Sequence, residues 1–337
     1  MSAPVVDAQP TPPAGPDVPG DPRDPRSRPT PHDPRGPGAR VLLWVGLTLG
    51  VLAIAQVGYQ AIDWMSSGTR VTTQVYTAAA VVELTTDGDV TVMVGDPGSV
   101  TVEARTRTGF QRASHDAVES ADRLAVEHDC PQWWNNGVCR IDLTVRVPRD
   151  TDVVVRSSSG AVRAEGVDGH LDLRTSDGDV RVLRAGGSVD AESSSGRVQV
   201  DDAGGHVVAV SGDGDVTVRN VGGHVTATSS SGRVVVAGAD GDVSAVSGDG
   251  DVETRRIGGS AVVTTSSGEI EVGGVMGDVE AMSGDGDVVV RGTGSPVALK
   301  ISTGDGRSTV EAPTDPTSSQ TVSIRSSSGD VSYLDAS

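Results

Sequence analysis

Large aromatic side chains are nearly absent from this sequence of 337 residues. Phenylalanine occurs once and aromatic residues make up 2% of the chain, whereas glycine occurs 44 times. This composition disfavours a thick core built around large side chains. The apolar residues are mostly Val and Ala, which suit strands that pack closely across a thin interior.

Basic residues are scarce after the N-terminal region. Lys300 is the only lysine, and the formal net charge is -19. The first forty residues contain five Arg and five Asp, so the whole excess of acid follows Arg40. Because no basic face is available to neutralise phosphates, we expect no nucleic-acid partner and no binding to anionic lipid headgroups.

Motifs of phosphate-binding loops and of nucleophilic catalysis are also missing. The sequence contains no GxxxxGK[ST], no GxGxxG that opens a helix and no GxSxG. The many serines lie in repeated turns without a placed His partner. We therefore expect no enzyme activity, no catalytic residue and no cofactor.

Three segments of different composition make up the N-terminal part of the chain, 1–75. Residues 1–40 are rich in Pro, Asp, Arg and Gly, which predicts a disordered cytoplasmic tail. Residues 41–62 carry no charge and are long enough, as a helix, to span the roughly 30 Å core of a bilayer. The arginines before this span predict a single-pass anchor with the N-terminus in the cytoplasm and the remainder of the chain outside the cell. Residues 63–75 are interpreted as a linker.

A cleaved signal peptide is the alternative interpretation of residues 41–62. Ala53-Ile54-Ala55 has the small-x-small form of a cleavage site. The apolar run exceeds the roughly 7–15 residues of an ordinary signal-peptide core, so we favour the anchor.

Two cysteines, Cys130 and Cys139, occur in CPQWWNNGVC. An even number of cysteines in an oxidising compartment favours a disulfide, and Asn-Asn-Gly between them is typical of a turn. The spacing is not CxxC and no second pair exists, which disfavours a metal or redox pair. The cysteines, Phe110, Trp133 and Trp134 define an insertion, 110–140, in a predicted N-terminal cap (76–149), and we expect any specific function to depend on it.

The region 150–337 is a repeat. The glycines of its SSSG and SGDG turns recur every 18 residues, and a second series of glycines falls midway between them. The first series is Gly160, Gly178, Gly196, Gly214, Gly232, Gly250, Gly268 and Gly286. Each nine-residue half alternates apolar and polar residues before its turn, which predicts strand, turn, strand, turn.

Such a unit cannot bury its own apolar face, so we predict an all-β fold in which the units stack as a parallel β-solenoid or β-roll with 18-residue coils. Val162, Val198 and Val216 belong to one predicted core column, and a facing column is mostly Ala. TTDGDVTV at 85–92 predicts an earlier coil. The period slips after Gly286, and SSSGDV returns at 326–331, which predicts a degenerate C-terminal cap.

The turn SGDGDV, which occurs three times, could be a cation site or only a turn. The candidate metal residues are its carboxylates, Asp213, Asp215, Asp249, Asp251, Asp285 and Asp287. In the predicted stack, Asp alternates with Ser before the turn glycine and largely with Arg after it, which separates like charges by two coils. The turns lack the glycine of an EF-hand and the GGxGxDxUx pattern of a calcium-binding β-roll. We favour a structural role and expect no metal ligand, with a calcium-stabilised β-roll as an alternative.

His206 and His224 share a column on adjacent coils, with Asp242 next in the column. They could hold a metal, but the other members of the column are His170, Ser188, Ser260 and Asp278. We therefore favour solvent-facing turn residues.

A predicted membrane anchor followed by repeated SSSGxV, SGDGDV and GGxV turns resembles the bacterial putative-adhesin β-strand-repeat family, a domain of unknown function in envelope proteins. The resemblance covers 76–333 and implies a solenoid at the cell surface. Because solenoids offer long flat faces for contact, we predict a non-enzymatic scaffold or adhesin-like binding module whose partner is an envelope protein or a glycan. An accessory protein of envelope-stress sensing is the alternative function.

Overall fold

The computed structural model of the protein describes residues 37–66, 68–108, 114–130 and 139–336. Of the predicted tail, 1–40, residues 1–36 lie outside the described residues. The chain divides into two units, Met1–Val57 and Gly58–Ser337. One helix, α1 (Pro37–Ser66), includes the predicted span 41–62. Of the helices in the described ranges, none combines the length and the apolar content needed to cross a membrane.

The remainder of the described chain is almost entirely β-structure. In chain order the strands are β1 (Gly68–Thr77), β2 (Val81–Thr86), β3 (Val90–Val94), β4 (Ser99–Thr108), β5 (Ser114–Glu119), β6 (Arg123–Asp129), β7 (Cys139–Val147), β8 (Asp152–Ser157), β9 (Val162–Glu165), β10 (Leu171–Thr175), β11 (Val180–Ala185), β12 (Val189–Ser193), β13 (Val198–Ala203), β14 (Val207–Ser211), β15 (Val216–Val221), β16 (Val225–Ser229), β17 (Val234–Ala239), β18 (Val243–Ser247), β19 (Val252–Ile257), β20 (Ala261–Thr265), β21 (Ile270–Val275), β22 (Val279–Ser283), β23 (Val288–Arg291), β24 (Ala298–Thr303), β25 (Ser308–Val310), β26 (Thr321–Ser326) and β27 (Val331–Leu334).

These strands form two long sheets. Sheet A has 14 strands in the order β1-β4-β7-β3-β9-β11-β13-β15-β17-β19-β21-β23-β27-β25. Sheet B has 13 strands in the order β24-β26-β22-β20-β18-β16-β14-β12-β10-β8-β2-β6-β5. Each repeat gives one strand to each sheet, and successive repeats pair in parallel with a shift of 18 residues, as in Val198↔Val216 and Ala209↔Ala227. The predicted β-solenoid with 18-residue coils is confirmed.

The core is a thin layer between the two sheets. The predicted Val column is fully buried, and so is the facing column, in which Ala209, Ala227 and Ala245 are 0% exposed. Val and Ala from opposite sheets fill the narrow interior, so the stack needs few aromatic side chains. The turn glycines are equally constrained, because a Cβ at Gly214 would lie 2.2 Å from the carbonyl oxygen of Gly196.

The coils of sheet A from β9 to β21 each end in a bend that contains one residue in the left-handed region. Arg184, Asp202, Asn220 and Arg256 have φ of 53°, 62°, 53° and 57°, and glycine occupies the same place in other coils, as Gly238 does with φ 84°. The bend residue is skipped in the pairing, since Leu183 and Ala185 pair with Asp201 and Ala203. The bend turns the next side chain inward, where it is buried.

The N-terminal end of the solenoid differs from the predicted linker and cap. β1 starts at Gly68, inside the predicted linker 63–75, because the β-branched residues of this segment pair antiparallel with β4. β4 and β7 are antiparallel, and so are β5 and β6. The predicted early coil at 85–92 is confirmed, since Val90 pairs in parallel with Val162.

Chain order and stacking order differ at both ends. β6 and β7 stack outside β2 and β3, although they come later in the chain. At the other end, β26 and β27 pair with β22 and β23 on one side and with β24 and β25 on the other. The returning SSSGDV is therefore a regular coil that continues the stack, and the coil formed by 298–310 is the one at the end. Within the C-terminal cap predicted after Gly286, the terminal coil is therefore 298–310 and not SSSGDV.

Candidate functional site

The second carboxylate of each SGDGDV turn binds the backbone of the next coil. Oδ1 of Asp215 accepts a hydrogen bond of 3.1 Å from the amide of Arg233, and Oδ1 of Asp251 accepts one of 3.1 Å from the amide of Glu269. The same contact joins Asp287 to the amide of Asp330 at 2.8 Å. These aspartates therefore serve as hydrogen-bond acceptors for turn amides that the ladder does not pair.

Arginine on the intervening coils neutralises this column. The guanidinium of Arg233 contacts Oδ2 of Asp251 at 2.8 Å, and that of Arg197 lies 3.8 Å from Oδ2 of Asp215. The amide of Glu269 and the guanidinium of Arg233 together hold the pKa of Asp251 below its ordinary value. The predicted alternation of Asp with Arg thus has a direct structural counterpart.

The first carboxylate of the turn lies on the outside. Asp213, Asp249 and Asp285 are exposed, and successive members are separated by a coil that carries Ser at this position. Two coil spacings correspond to about 9.6 Å. Across the described ranges, no three His, Cys, Asp or Glu side chains are close enough together to hold a metal ion. The six candidate aspartates are therefore spread along the stack.

A buried column of hydroxyl groups lies directly inside these turns, and its role was not predicted. Oγ of Ser211 donates to the carbonyl of Gly196 at 2.8 Å and accepts from the amide of Gly214 at 3.0 Å. Every coil repeats this pair of bonds with Ser or Thr. The available signal was the restriction of this position to Ser or Thr throughout the repeat.

The column of His206 and His224 is a second series of acceptors, at the opposite turn. Nδ1 of His206 accepts from the amide of His224 at 3.0 Å, and Nδ1 of His224 accepts from the amide of Asp242 at 2.8 Å. Asp242 and Ser260 make the same contact to the next coil. The mixture of Asp, Ser and His follows from this geometry, because each can present an acceptor to the next amide.

A cavity of about 170 Å³ lies at the N-terminal end of the solenoid, where two antiparallel strand pairs line it. The antiparallel pair of β1 and β4 contributes Thr72, Gln74 and Ala104, and the hairpin of β5 and β6 contributes His115 and His128. The two histidines are directly opposite each other across β5 and β6. We call this arrangement the histidine pair.

The histidine pair is held by a chain of hydrogen bonds. Nδ1 of His115 lies 2.8 Å from Nε2 of His128, and Nε2 of His115 lies 2.6 Å from Oε1 of Gln74. The hydroxyl of Tyr76 donates to the same oxygen. His128 is only 4% exposed, and its Nδ1 has no hydrogen-bond partner among the described residues. Burial and the nearby His115 lower the pKa of His128 from 6.5 to about 4.

The histidine pair was missed because it lies outside the 18-residue period. A signal was present in HDAVESADRLAVEH, where a short apolar segment lies on each side of the turn Ser120-Ala121-Asp122. A hairpin centred on this turn places the two histidines opposite each other.

The predicted disulfide is confirmed. Cys130 and Cys139 are joined, and their Cα atoms are 5.8 Å apart. The bond connects the end of β6 to the start of β7 and so links sheet B to sheet A. Of the predicted insertion, 110–140, the segment 114–130 forms β5 and β6, whereas Phe110, Trp133 and Trp134 lie outside the described residues.

The outer surface of sheet B contains a patch without charge. Across β14, β16, β18 and β20, every outward-facing position is Val, Thr or Ser. We call this surface the uncharged face; it consists of Val208, Val210, Thr226, Thr228, Ser244, Val246, Val262 and Thr264. Charged residues border it at both ends, with Asp190 and Glu192 on one side and Glu280 and Arg325 on the other.

Comparisons with known proteins concern the solenoid. The Toastrack DUF4097 family matches residues 81–272 and 236–335. Each of three solved structures aligns with 79% of this chain. A putative cell adhesion protein from Clostridium sporogenes is 9% identical, is covered over 100% of its length and has a TM-score of 0.25. A putative adhesin from Bacteroides fragilis is 13% identical, is covered over 97% and has a TM-score of 0.33. A putative lipid binding protein from Parabacteroides distasonis is 12% identical, is covered over 96% and has a TM-score of 0.37. No curated protein matches the chain.

Proposed function

The chain belongs to the Toastrack DUF4097 family, and on that premise we propose that it is a non-enzymatic, adhesin-like module that presents a β-solenoid outside the bacterial cell membrane. The observation that carries this proposal is the uncharged face. It interrupts a strongly acidic rod and gives the solenoid one flat surface suited to contact with another molecule.

We infer that residues 41–62 of α1 anchor the module in the membrane. The described apolar side chains of this helix are exposed, among them Leu42 at 75%, Leu52 at 65% and Ile54 at 74%. Such a surface is stable in lipid and unfavourable in water. Extraction of membranes with alkaline carbonate tests the anchor: the chain is expected to stay with the lipid, and release into the supernatant would refute anchoring.

The disulfide supports an extracytoplasmic location for the solenoid. Bonds such as Cys130–Cys139 persist in oxidising compartments and are rare in the reducing cytosol. Labelling of the two thiols in intact cells, with and without prior reduction, is expected to succeed only after reduction. Free thiols in the mature protein would contradict the proposed location.

We propose that the uncharged face binds a protein of the cell envelope. Interfaces between proteins combine a core depleted of charge with a polar rim, and the uncharged face has this arrangement. Its four strands cover about 19 Å along the stack. Thr226 lies at its centre, between Val208 and Ser244.

The proposal is tested by capture of envelope proteins with the full chain and with Thr226→Lys. The matched control is Thr217→Lys, which places the same charge on sheet A, where Arg219 is already present two residues away. We expect a protein partner that the wild type and Thr217→Lys retain and that Thr226→Lys loses. A partner bound equally by both variants, or binding of a purified glycan alone, would overturn this assignment.

A further inference from the structure

We propose that the histidine pair binds one divalent transition-metal ion of the class of Zn²⁺, Ni²⁺ or Cu²⁺. The ligands are Nδ1 of His115 and Nε2 of His128, which are directed at each other across 2.8 Å. Imidazole nitrogen is a favoured ligand of these three metals. At the usual Zn–N distance of about 2.0–2.1 Å, a cation bound to both nitrogens lies beside the line that joins them, and it replaces the hydrogen bond between the two rings.

The hydrogen bonds around His115 fix which of its nitrogens is free. Because Oε1 of Gln74 is an acceptor that already receives the hydroxyl proton of Tyr76, Nε2 of His115 carries the proton of the neutral ring. Nδ1 of His115 is then the unprotonated nitrogen and points at His128. A metal-binding histidine usually donates its other N–H to a polar group in this way, which orients the ring.

The surroundings of His128 keep it available as a ligand. In the neutral pair its Nε2–H donates to His115, which leaves Nδ1 without a proton and, within the described residues, without a partner. When a metal binds Nε2, the proton of Nε2 moves to Nδ1. Both rings then stay neutral, and no proton is gained or lost.

A metal ion can reach the histidine pair from solvent, and the two histidines alone leave coordination positions of the ion unfilled. His115 is exposed, so an ion can approach from its side of the pair, and the adjoining cavity of about 170 Å³ has room for water molecules. No third His, Cys, Asp or Glu of the described ranges joins the pair. Water is therefore expected to fill the remaining coordination positions, as in metal sites with open positions.

A second pair of adjacent histidines provides a control within the same chain. The rings of His206 and His224 are stacked with centroids 5.0 Å apart, and their Nδ1 atoms are occupied by backbone amides. A metal at that pair would have to displace hydrogen bonds of the stack. The geometry thus favours the histidine pair at the cap over the pair in the repeat.

The experiment is a calorimetric titration of the metal-free full chain with Zn²⁺ and Ni²⁺. We expect one ion per chain, a loss of at least about tenfold in affinity in His115→Gln, and a loss of about tenfold in Gln74→Ala, the usual size for removal of a residue that orients a ligand. The double variant His206→Asn with His224→Asn is expected to bind as the wild type does.

Electron paramagnetic resonance of Cu²⁺ bound to the wild type provides a test that needs no variant. Two imidazole nitrogens are expected in its spectrum, and one in that of His115→Gln, whose melting temperature shows whether the variant is folded. Absence of binding by the folded wild type, unchanged binding in His115→Gln, or loss of binding in the control double variant would each overturn the proposal.

Discussion

Asp215 accepts a hydrogen bond from the backbone amide of Arg233, its counterpart in the next coil, with Oδ1 3.1 Å from the amide nitrogen. The side chain of Arg233 in turn contacts the carboxylate of Asp251, one coil further. Asp and Arg therefore have different roles in the column: Asp accepts a hydrogen bond from the amide of the next coil, and Arg neutralises the carboxylates on both sides. The SGDGDV turn, whose carboxylates resemble a cation site, thus joins adjacent coils through hydrogen bonds and ion pairs.

Replacement of Ser229 by Ala is expected to destabilise the solenoid by about 2–3 kcal/mol, because it leaves two buried backbone groups without partners. These groups are the carbonyl of Gly214 and the amide of Gly232, each 2.9 Å from Oγ of Ser229. The measurement is urea denaturation of the full chain. Ser229→Thr is the control and should stay within about 1 kcal/mol of the wild type, since Thr fills this position at Thr265. Equal losses in both variants would show that packing, not the hydroxyl, stabilises the turn.

Replacement of Arg256 by Gly is expected to raise stability by about 1 kcal/mol. Arg256 has φ 57°, a region that costs residues with a Cβ roughly 1–2 kcal/mol and costs glycine little. Arg255→Gly is the control, because this neighbour pairs within the sheet and glycine there should destabilise by roughly 0.5–1 kcal/mol. Thermal unfolding of the two variants should therefore shift in opposite directions, and a lower melting temperature for Arg256→Gly would contradict the account.

Acidification is expected to destabilise the metal-free cap through His128. Its pKa is about 4 in the folded chain against an ordinary 6.5, so between these values the unfolded chain binds a proton that the folded chain does not. This contribution to stability is complete above pH 6.5 and is lost as the pH falls to about 4. Carboxylates titrate over the same range, so the measurement is the difference between wild type and His128→Gln in chelator. The variant should show a weaker pH dependence by up to one proton, and parallel curves would refute the role of His128.

Removal of residues 316–337 is expected to expose the coil of β24 and β25 while the repeats before it stay folded. Among the described strands, β24 pairs only with β26 and β25 only with β27, so the truncation takes away these strand partners. Hydrogen exchange should show rapid exchange at 298–303 and continued protection at 279–283. Retained protection at 298–303 would mean that β24 moves onto β22 in place of β26.

The repeat was predictable because its period fixes both the strands and their register. Once the turn glycines recur every 18 residues, Val198 must stack on Val180 and under Val216. The alternation of Asp with Arg along the stack was predictable from the same period. The sequence could not reveal that the second carboxylate bonds to a backbone amide, because backbone geometry in the turn decides which amides the ladder leaves unpaired.

The ends of the solenoid were less predictable. SSSGDV at 326–331 and STGDGR at 302–307 have the same turn chemistry, so nothing local decides which of them stacks on Gly286. At the other end, the period is lost and antiparallel pairing replaces it. Gln74 lies 41 residues before His115 in the chain, so its contact with the histidine pair is visible only in three dimensions.

The most direct test of the role of the SGDGDV turns is the free energy of unfolding of Asp215→Asn and Asp215→Ala, each measured with Ca²⁺ and with chelator. Asn keeps an oxygen acceptor for the amide of Arg233, whereas Ala does not. The account predicts that Ala costs about 1 kcal/mol more than Asn and that Ca²⁺ changes neither value nor that of the wild type. Stabilisation of the wild type by Ca²⁺ that both variants lose would instead identify the turn as a cation site.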